Sequence, residues 1–209
     1  MKKRVAMILI FTRTAYATVS TGPYIGIELG TDNQIITYQP SAYGINTNGS
    51  QLYNANYGFM GRLNFGYAFD RYNSIEIGPS YYFSQNYNFP AGNGTMGVSA
   101  TSLDFSYLPS LPISQSKLSV FGRLGFAYDW INSDVSSCNC NNFNNQVLSG
   151  SNFADVIGAG LKYNFSVHSS MRVEWIANGL FFPVGIGNGG VNAANWSTQQ
   201  FLAGINYHF

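Results

Sequence analysis

At 209 residues the chain is long enough for one domain with a sizeable core, yet only 9% of its residues are charged, against about 25% in a typical soluble domain. Aromatic residues make up 16% of the chain while its mean hydropathy is −0.03, which excludes long apolar spans and favours alternation of apolar and polar positions. A formal net charge of +1 with no basic patch argues against nucleic acid as a partner.

The chain begins with a basic Met1-Lys2-Lys3-Arg4, a short apolar run from Val5 to Phe11, and Ala15-Tyr16-Ala17 as an A-x-A cleavage site. This is the pattern of an export signal. Residues 1–17 are therefore expected to be removed after Ala17, leaving residues 18–209 as one domain. The apolar run is far below the ~20 residues of a transmembrane helix. Loss of Lys2, Lys3, Arg4 and Arg13 leaves six basic against nine acidic residues, a formal charge of −3.

Period-two alternation then predicts eight strands. They are GPYIGIELG from Gly22, residues 56–70, 74–83, 102–111, 117–130, 152–165, 170–182, and a last strand from about Thr198 to Phe209. In the second, Tyr57, Phe59, Leu63, Phe65, Tyr67 and Phe69 share one face. In the third, Ile75, Ile77, Pro79, Tyr81 and Phe83 oppose Glu76, Gly78, Ser80 and Tyr82. The last strand, FLAGINYHF, puts Phe201, Ala203, Ile205, Tyr207 and Phe209 on one face and runs to the final residue.

The connectors alternate in length. Those near Arg71–Asn73, Pro112–Ser116 and Ser166–Ser169 are short. Those at 31–55, 84–101, 131–151 and 183–197 are long, rich in Asn, Gly and Ser, and read as irregular loops. Short turns at one end and long loops at the other predict an all-β fold, an eight-stranded antiparallel up-and-down transmembrane β-barrel with both termini on the short-turn side. Backbone amides in lipid must be paired within the protein, so the last strand is expected to close on the first.

With the apolar faces turned to lipid, the opposite faces carry Glu28, Arg62, Glu76, Asp104, Arg123, Lys162, Arg172 and Glu174. A basic charge facing mid-bilayer lipid costs ~2–4 kcal/mol, so inward parity is expected to be strict. Counting from the short turns predicts two layers, one with Glu76, Lys162, Arg172 and Glu174 and one with Arg62, Asp104 and Arg123; the strand of Glu28 has no preceding turn from which to count, and Glu28 is available with Asp104 to balance Arg62 and Arg123. An eight-stranded barrel is only wide enough for side chains to fill it. A balanced ion-pair network is thus expected to plug the lumen.

GPYIGIELG, GFMGRLNFGYAFD, SVFGRLGFAYDW, GAGLKYNFS with MRVEW, and the terminal GINYHF resemble the eight-stranded outer-membrane barrels of Gram-negative bacteria, of the OmpA transmembrane-domain and opacity-like surface-protein type. The resemblance spans essentially residues 22–209. It implies residence in the bacterial outer membrane, contact with outer-membrane lipid and lipopolysaccharide, and insertion by the barrel-assembly machinery. In that family the last strand ends in an assembly signal. Here Gly204, Tyr207 and Phe209 occupy its glycine and two aromatic positions, while Leu202 stands where a polar residue is usual.

The remaining motifs are weak. Cys138 and Cys140 lie in the third long loop, where export permits a small, strained disulfide, although free or intermolecularly paired thiols fit equally. His168-Ser169-Ser170 is similar to the His-x-Ser pair of lipid A deacylases, but it falls in a short periplasmic turn, away from the outer leaflet where those enzymes work. Gly185 to Gly190 fits G-x-G-x-x-G, but no helical pattern follows, and it reads as a flexible loop. No cofactor, metal or catalytic residue is expected. The expected function is structural and surface-interacting, adhesin- or antigen-like, in a monomeric barrel whose long loops meet host or phage surfaces. A narrow porin and a lipid A-modifying enzyme are the alternatives.

Overall fold

The computed structural model describes residues 21–38, 51–52, 57–88, 95–113, 116–136, 147–188 and 191–209. Its strands are β1 (Gly22–Tyr38), β2 (Gln51–Leu52), β3 (Gly58–Ala68), β4 (Asn73–Asn88), β5 (Thr95–Pro112), β6 (Leu118–Ser136), β7 (Val147–Asn164), β8 (Ser169–Asn178), β9 (Val184–Asn188) and β10 (Val191–His208). Eight of them, β1, β3 to β8 and β10, form a closed antiparallel ring. Neighbours in the chain are neighbours in the wall, and β10 returns to β1 from Tyr24↔His208 to Tyr38↔Ala194. The N–H of Phe209 donates to the carbonyl of Pro23 at 3.1 Å, so the seam is bonded to the last residue.

The alternation of the sequence becomes the two faces of the wall. Ile25, Ile27 and Leu29 of β1 are exposed on the outside, while Tyr24 and Glu28 are buried inside. On the last strand Phe201, Ile205, Tyr207 and Phe209 point out, and Leu202, Asn206 and His208 point in. The short turns lie at one end. In the turn after β3, Asp70 Oδ1 accepts the N–H groups of Tyr72 (2.6 Å) and Asn73 (2.8 Å). These bonds, with that of the Asn73 side chain foremost, hold the Asp70 carboxyl below its usual range.

The strands are longer than their hydrophobic pattern. β1 runs on to Tyr38, β4 to Asn88, β6 to Ser136, and β7 begins at Val147, so much of three segments read as loop is ladder. Their Asn and Ser residues look like loop because these parts need no apolar outer face. The fourth long segment is corrected more sharply: Gly185-Ile-Gly lies within β9, which pairs with β10, and is not a loop. The seventh strand, expected to reach residue 182, ends at Asn178, because Gly179 turns to φ +69°. A bulge in β4 shifts the register between Tyr82 and Gln85, which turns Gln85 and Tyr87 inward and leaves both Phe83 and Ser84 exposed. The export segment 1–17, Cys138 and Cys140 lie outside the described residues.

Deleting Phe209 removes one ladder bond at the seam. It is expected to cost less than about 1.5 kcal/mol in detergent but to cut the amount of folded protein at the cell surface several-fold. Heat-modifiability gels and surface proteolysis measure the two effects, and equal surface levels would contradict the expectation.

Candidate functional site

The barrel interior brings together side chains from strands that are far apart in sequence. Its centre is Glu76 of β4, 1% exposed. Its carboxylate accepts from Arg123 at 2.8 Å, from Arg172 at 2.7 and 3.0 Å, from Arg62 at 3.3 Å, and from the Tyr24 hydroxyl at 3.0 Å. Three further carboxylates close the ring. Asp104 pairs with Arg62 at 2.7 Å and with Arg123 at 3.4 Å; Glu174 pairs with Arg123 at 3.1 Å and Arg172 at 3.6 Å; Glu28 contacts Arg172 directly and Arg62 at 3.8 Å. Four carboxylates thus enclose three guanidiniums, whose planar forks serve several acceptors at once.

Two glycines make this convergence feasible. Gly204 lies between Glu28 and Arg172 in the register of β1, β10 and β8, and a Cβ there would collide with the Ile27 carbonyl and Glu28 Cγ. A Cβ at Gly78 would strike the Arg62 guanidinium. The glycine of the expected assembly signal therefore also opens the path along which Arg172 reaches Glu28.

Seven of the eight charges read from the sequence meet in this one cluster. The expected two layers are corrected to a single network, because tilted, staggered strands bring residues at different counts from the turns to one height. Lys162 stands apart from it. Its ammonium lies 6.0 Å from the Tyr24 ring centre, and Tyr24 also packs against His208 with ring centres 4.9 Å apart.

Toward the long hairpins, the interior changes character. Ile36, Met60, Tyr82, Ile131, Ile176, Trp196 and Leu202 are among the buried apolar residues of one cluster. Tyr82 reaches across the lumen, where Gln200 and Asn178 donate to its hydroxyl at 2.8 and 3.3 Å, and meets Trp196 edge-on. Trp196 Nε1 donates to Gln34 Oε1 at 3.2 Å, and Gln34 donates to Asp32 at 2.9 Å. Leu202, anomalous as a signal residue, is a member of this apolar layer and has its explanation there.

Sequence reasoning missed three carboxylates. Asp129 shares the parity of Arg123 on β6 and is fully buried inside, so alternation could have found it. Asp32, also fully buried, fell in a segment taken as loop. Asp155 breaks the expected inward rule: its neighbours Ala154 and Val156 are buried inside, so its own side chain stands on the outer face of β7. The His-x-Ser pair forms no dyad. His168 Nδ1 lies 3.0 Å from the His208 carbonyl, and Ser170 is buried with no bond to His168 among the described residues.

The sequence profile of the outer membrane protein beta-barrel domain matches residues 5–209. Among solved structures, the chain is similar to Neisserial surface protein A, with TM-score 0.57 and 15% identity over 90% of this chain and 98% of that one. It is also similar to Ail, the attachment invasion locus protein of Yersinia pestis, with TM-score 0.50 and 13% identity over 90% and 99% of the two chains. A third similar structure is the outer membrane protein OprG of Pseudomonas aeruginosa, with TM-score 0.52 and 13% identity over 93% and 100%. At these identities the likeness is one of fold. Among curated proteins no sequence match is found.

Replacing Glu76 by Ala leaves three buried guanidiniums without their shared acceptor and is expected to cost ~3–5 kcal/mol. Lys162→Met, which loses one cation–π contact, is expected to cost no more than about 1 kcal/mol. Urea unfolding in lipid vesicles, followed by tryptophan fluorescence, measures both; equal losses would show that the cluster has no hub.

Proposed function

Because the chain belongs to the outer membrane protein β-barrel family and resides in the bacterial outer membrane, we propose that it is a closed, non-catalytic barrel that holds a rigid platform for surface interaction. The observation that carries the first half is the Glu76 cluster together with the apolar layer above it. Arg123, Glu76, Met60 and Trp196 are each at most 1% exposed. An ion crossing this interior would have to displace bonded guanidiniums and then pass closely packed side chains such as Met60, Tyr82 and Trp196.

The surface role is supported by the geometry of the open end. β1, β4 and β6 leave the described residues at Tyr38, Asn88 and Ser136, all on the side opposite the short turns. The intervening stretches are rich in Asn, Gly and Ser. Rigid strands that end on this side at the borders of polar sequence segments suit recognition of host or phage surfaces, since binding tends to reside on loops held by a scaffold. Ail is by its name an attachment protein and Neisserial surface protein A a surface protein, and the same kind of role is proposed for this chain. The lipid around the barrel, including lipopolysaccharide, and the barrel-assembly machinery acting on Gly204, Tyr207 and Phe209 complete the proposed set of partners; the chain acts as a monomer.

Planar-bilayer recording is expected to give no stable, reproducible conductance steps, and large uniform steps would make the barrel a porin. Replacing residues 39–50 and 137–146 by short Gly-Ser turns is expected to preserve heat-modifiability and abolish binding to host cells. Binding at the parent level by the trimmed barrel would sink the surface role.

A further inference from the structure

On the wall formed by β7, β8 and β10, the chain departs from regular pairing. β10 pairs with Asn178 of β8 at Thr198 and with Val184 of β9 at Trp196. Five residues, 179–183, therefore stand opposite the single residue Ser197. Such an excess cannot lie in the sheet and must leave it. Gly179 makes the exit at φ +69°, a backbone conformation that glycine adopts without strain.

The excursion is pinned. The N–H of Gly179 donates to the Asp155 carbonyl at 2.9 Å. Asp155 Oδ1 accepts the N–H groups of Phe181 at 3.0 Å and Phe182 at 2.8 Å. One outward carboxylate thus orders, through its Oδ1, two consecutive peptides whose N–H groups have left the ladder, while its Oδ2 is buried without a hydrogen-bond partner among the described residues. The side chains this fixes are large, apolar and open: Leu180 is 53%, Phe181 66% and Phe182 69% exposed.

The height of this element follows from β7. Asp155 lies nine residues from the short-turn end of β7 at Asn164, which at ~3.3 Å per residue and a tilt near 45° is about 20 Å up an apolar band about 25 Å tall. That level belongs to the outer leaflet. Asp155 pairs with Phe126 of β6, and the outward rings of Phe126, Phe153 and Tyr128 pack on one another there, with centres 6.2 and 5.1 Å apart. The bulge continues this lipid-facing aromatic belt and extends it beyond the wall.

The geometry points to a membrane-inserting fin: the Asp155-latched bulge places Leu180, Phe181 and Phe182 among the acyl chains of the outer leaflet and holds this flank of the barrel at a fixed depth. Its partner is lipid, because the bulge is continuous with the lipid-facing belt and carries no charged side chain of its own. Asp155 is a positioning residue that acts through two backbone bonds. The fin is unlike a ring of interfacial aromatics, because it occupies one side of the barrel and so opposes tilting toward that side.

The test uses the full-length barrel with Phe182→Cys in a Cys138→Ser, Cys140→Ser background, labelled with the fluorophore NBD and refolded into phosphatidylcholine vesicles. The vesicles carry a nitroxide quencher on the headgroup or at acyl carbon 5 or 12. Strongest quenching from acyl carbon 5, with little quenching by aqueous iodide, is the expected result. Strong iodide quenching without acyl-chain quenching would put the bulge in water and overturn the proposal. Energy transfer between labelled chains in place of lipid quenching would make the occupant a second copy, with the same consequence. Adding Asp155→Asn is expected to raise iodide quenching several-fold while the barrel still migrates as folded on a heat-modifiability gel, and an unchanged profile would remove the latch. The labelled parent decides insertion on its own, so a failure of the Asp155 variant to fold leaves that result standing.

Discussion

Hydrocarbon offers no hydrogen bonds to a peptide group, and the rest of this structure follows from that constraint. A sheet in lipid must have no edge, so β10 must find β1 along its whole length. The pairing from Tyr24↔His208 to Tyr38↔Ala194 meets that demand, and the bond from Phe209 to Pro23 carries it to the final residue. Closure creates an inside. With eight strands the inside is narrow, and whatever side chains point there must satisfy one another.

The side chains that point there fall into two zones of different chemistry. The Glu76 cluster places four carboxylates and three guanidiniums in one bonded group. Buried ion pairs add little net stability compared with apolar packing, yet losing one member is costly. The cluster is therefore weak evidence of stability in itself, while each of its members is costly to remove. The apolar zone around Trp196, Tyr82 and Leu202 contributes through ordinary burial and close packing. Gly204 serves the first zone by what it lacks, since a side chain there would stand between Arg172 and Glu28.

The outer wall follows the opposite rule. Its side chains are mostly apolar because lipid surrounds them; Asp155 also stands on this face, where its Oδ1 accepts two peptide N–H groups. The same requirement that closes the barrel operates here at short range: where the ladder is interrupted after Asn178, the N–H groups of Phe181 and Phe182 are bonded by a side chain in place of a strand.

Alternation, turn spacing and the greasy last strand were enough to determine the eight-stranded barrel, its orientation of faces, and the inward parity of Glu28, Arg62, Glu76, Asp104, Arg123, Arg172 and Glu174. Period-two patterning is a local property, and each strand carries its own copy of it. Strand ends were less legible, because the upper parts of β1, β4, β6 and β7 leave the apolar band and their Asn and Ser residues mimic loop. The meeting of charges in one cluster around Glu76, the separation of Lys162, the place of Leu202 in an apolar layer and the outward latch at Asp155 were decided only by tertiary structure. Each depends on the stagger between strands or on a break in pairing. Both are set by contacts between residues far apart in the chain, such as Arg172 and Glu28, 144 positions apart, and no local pattern encodes a relation at that distance.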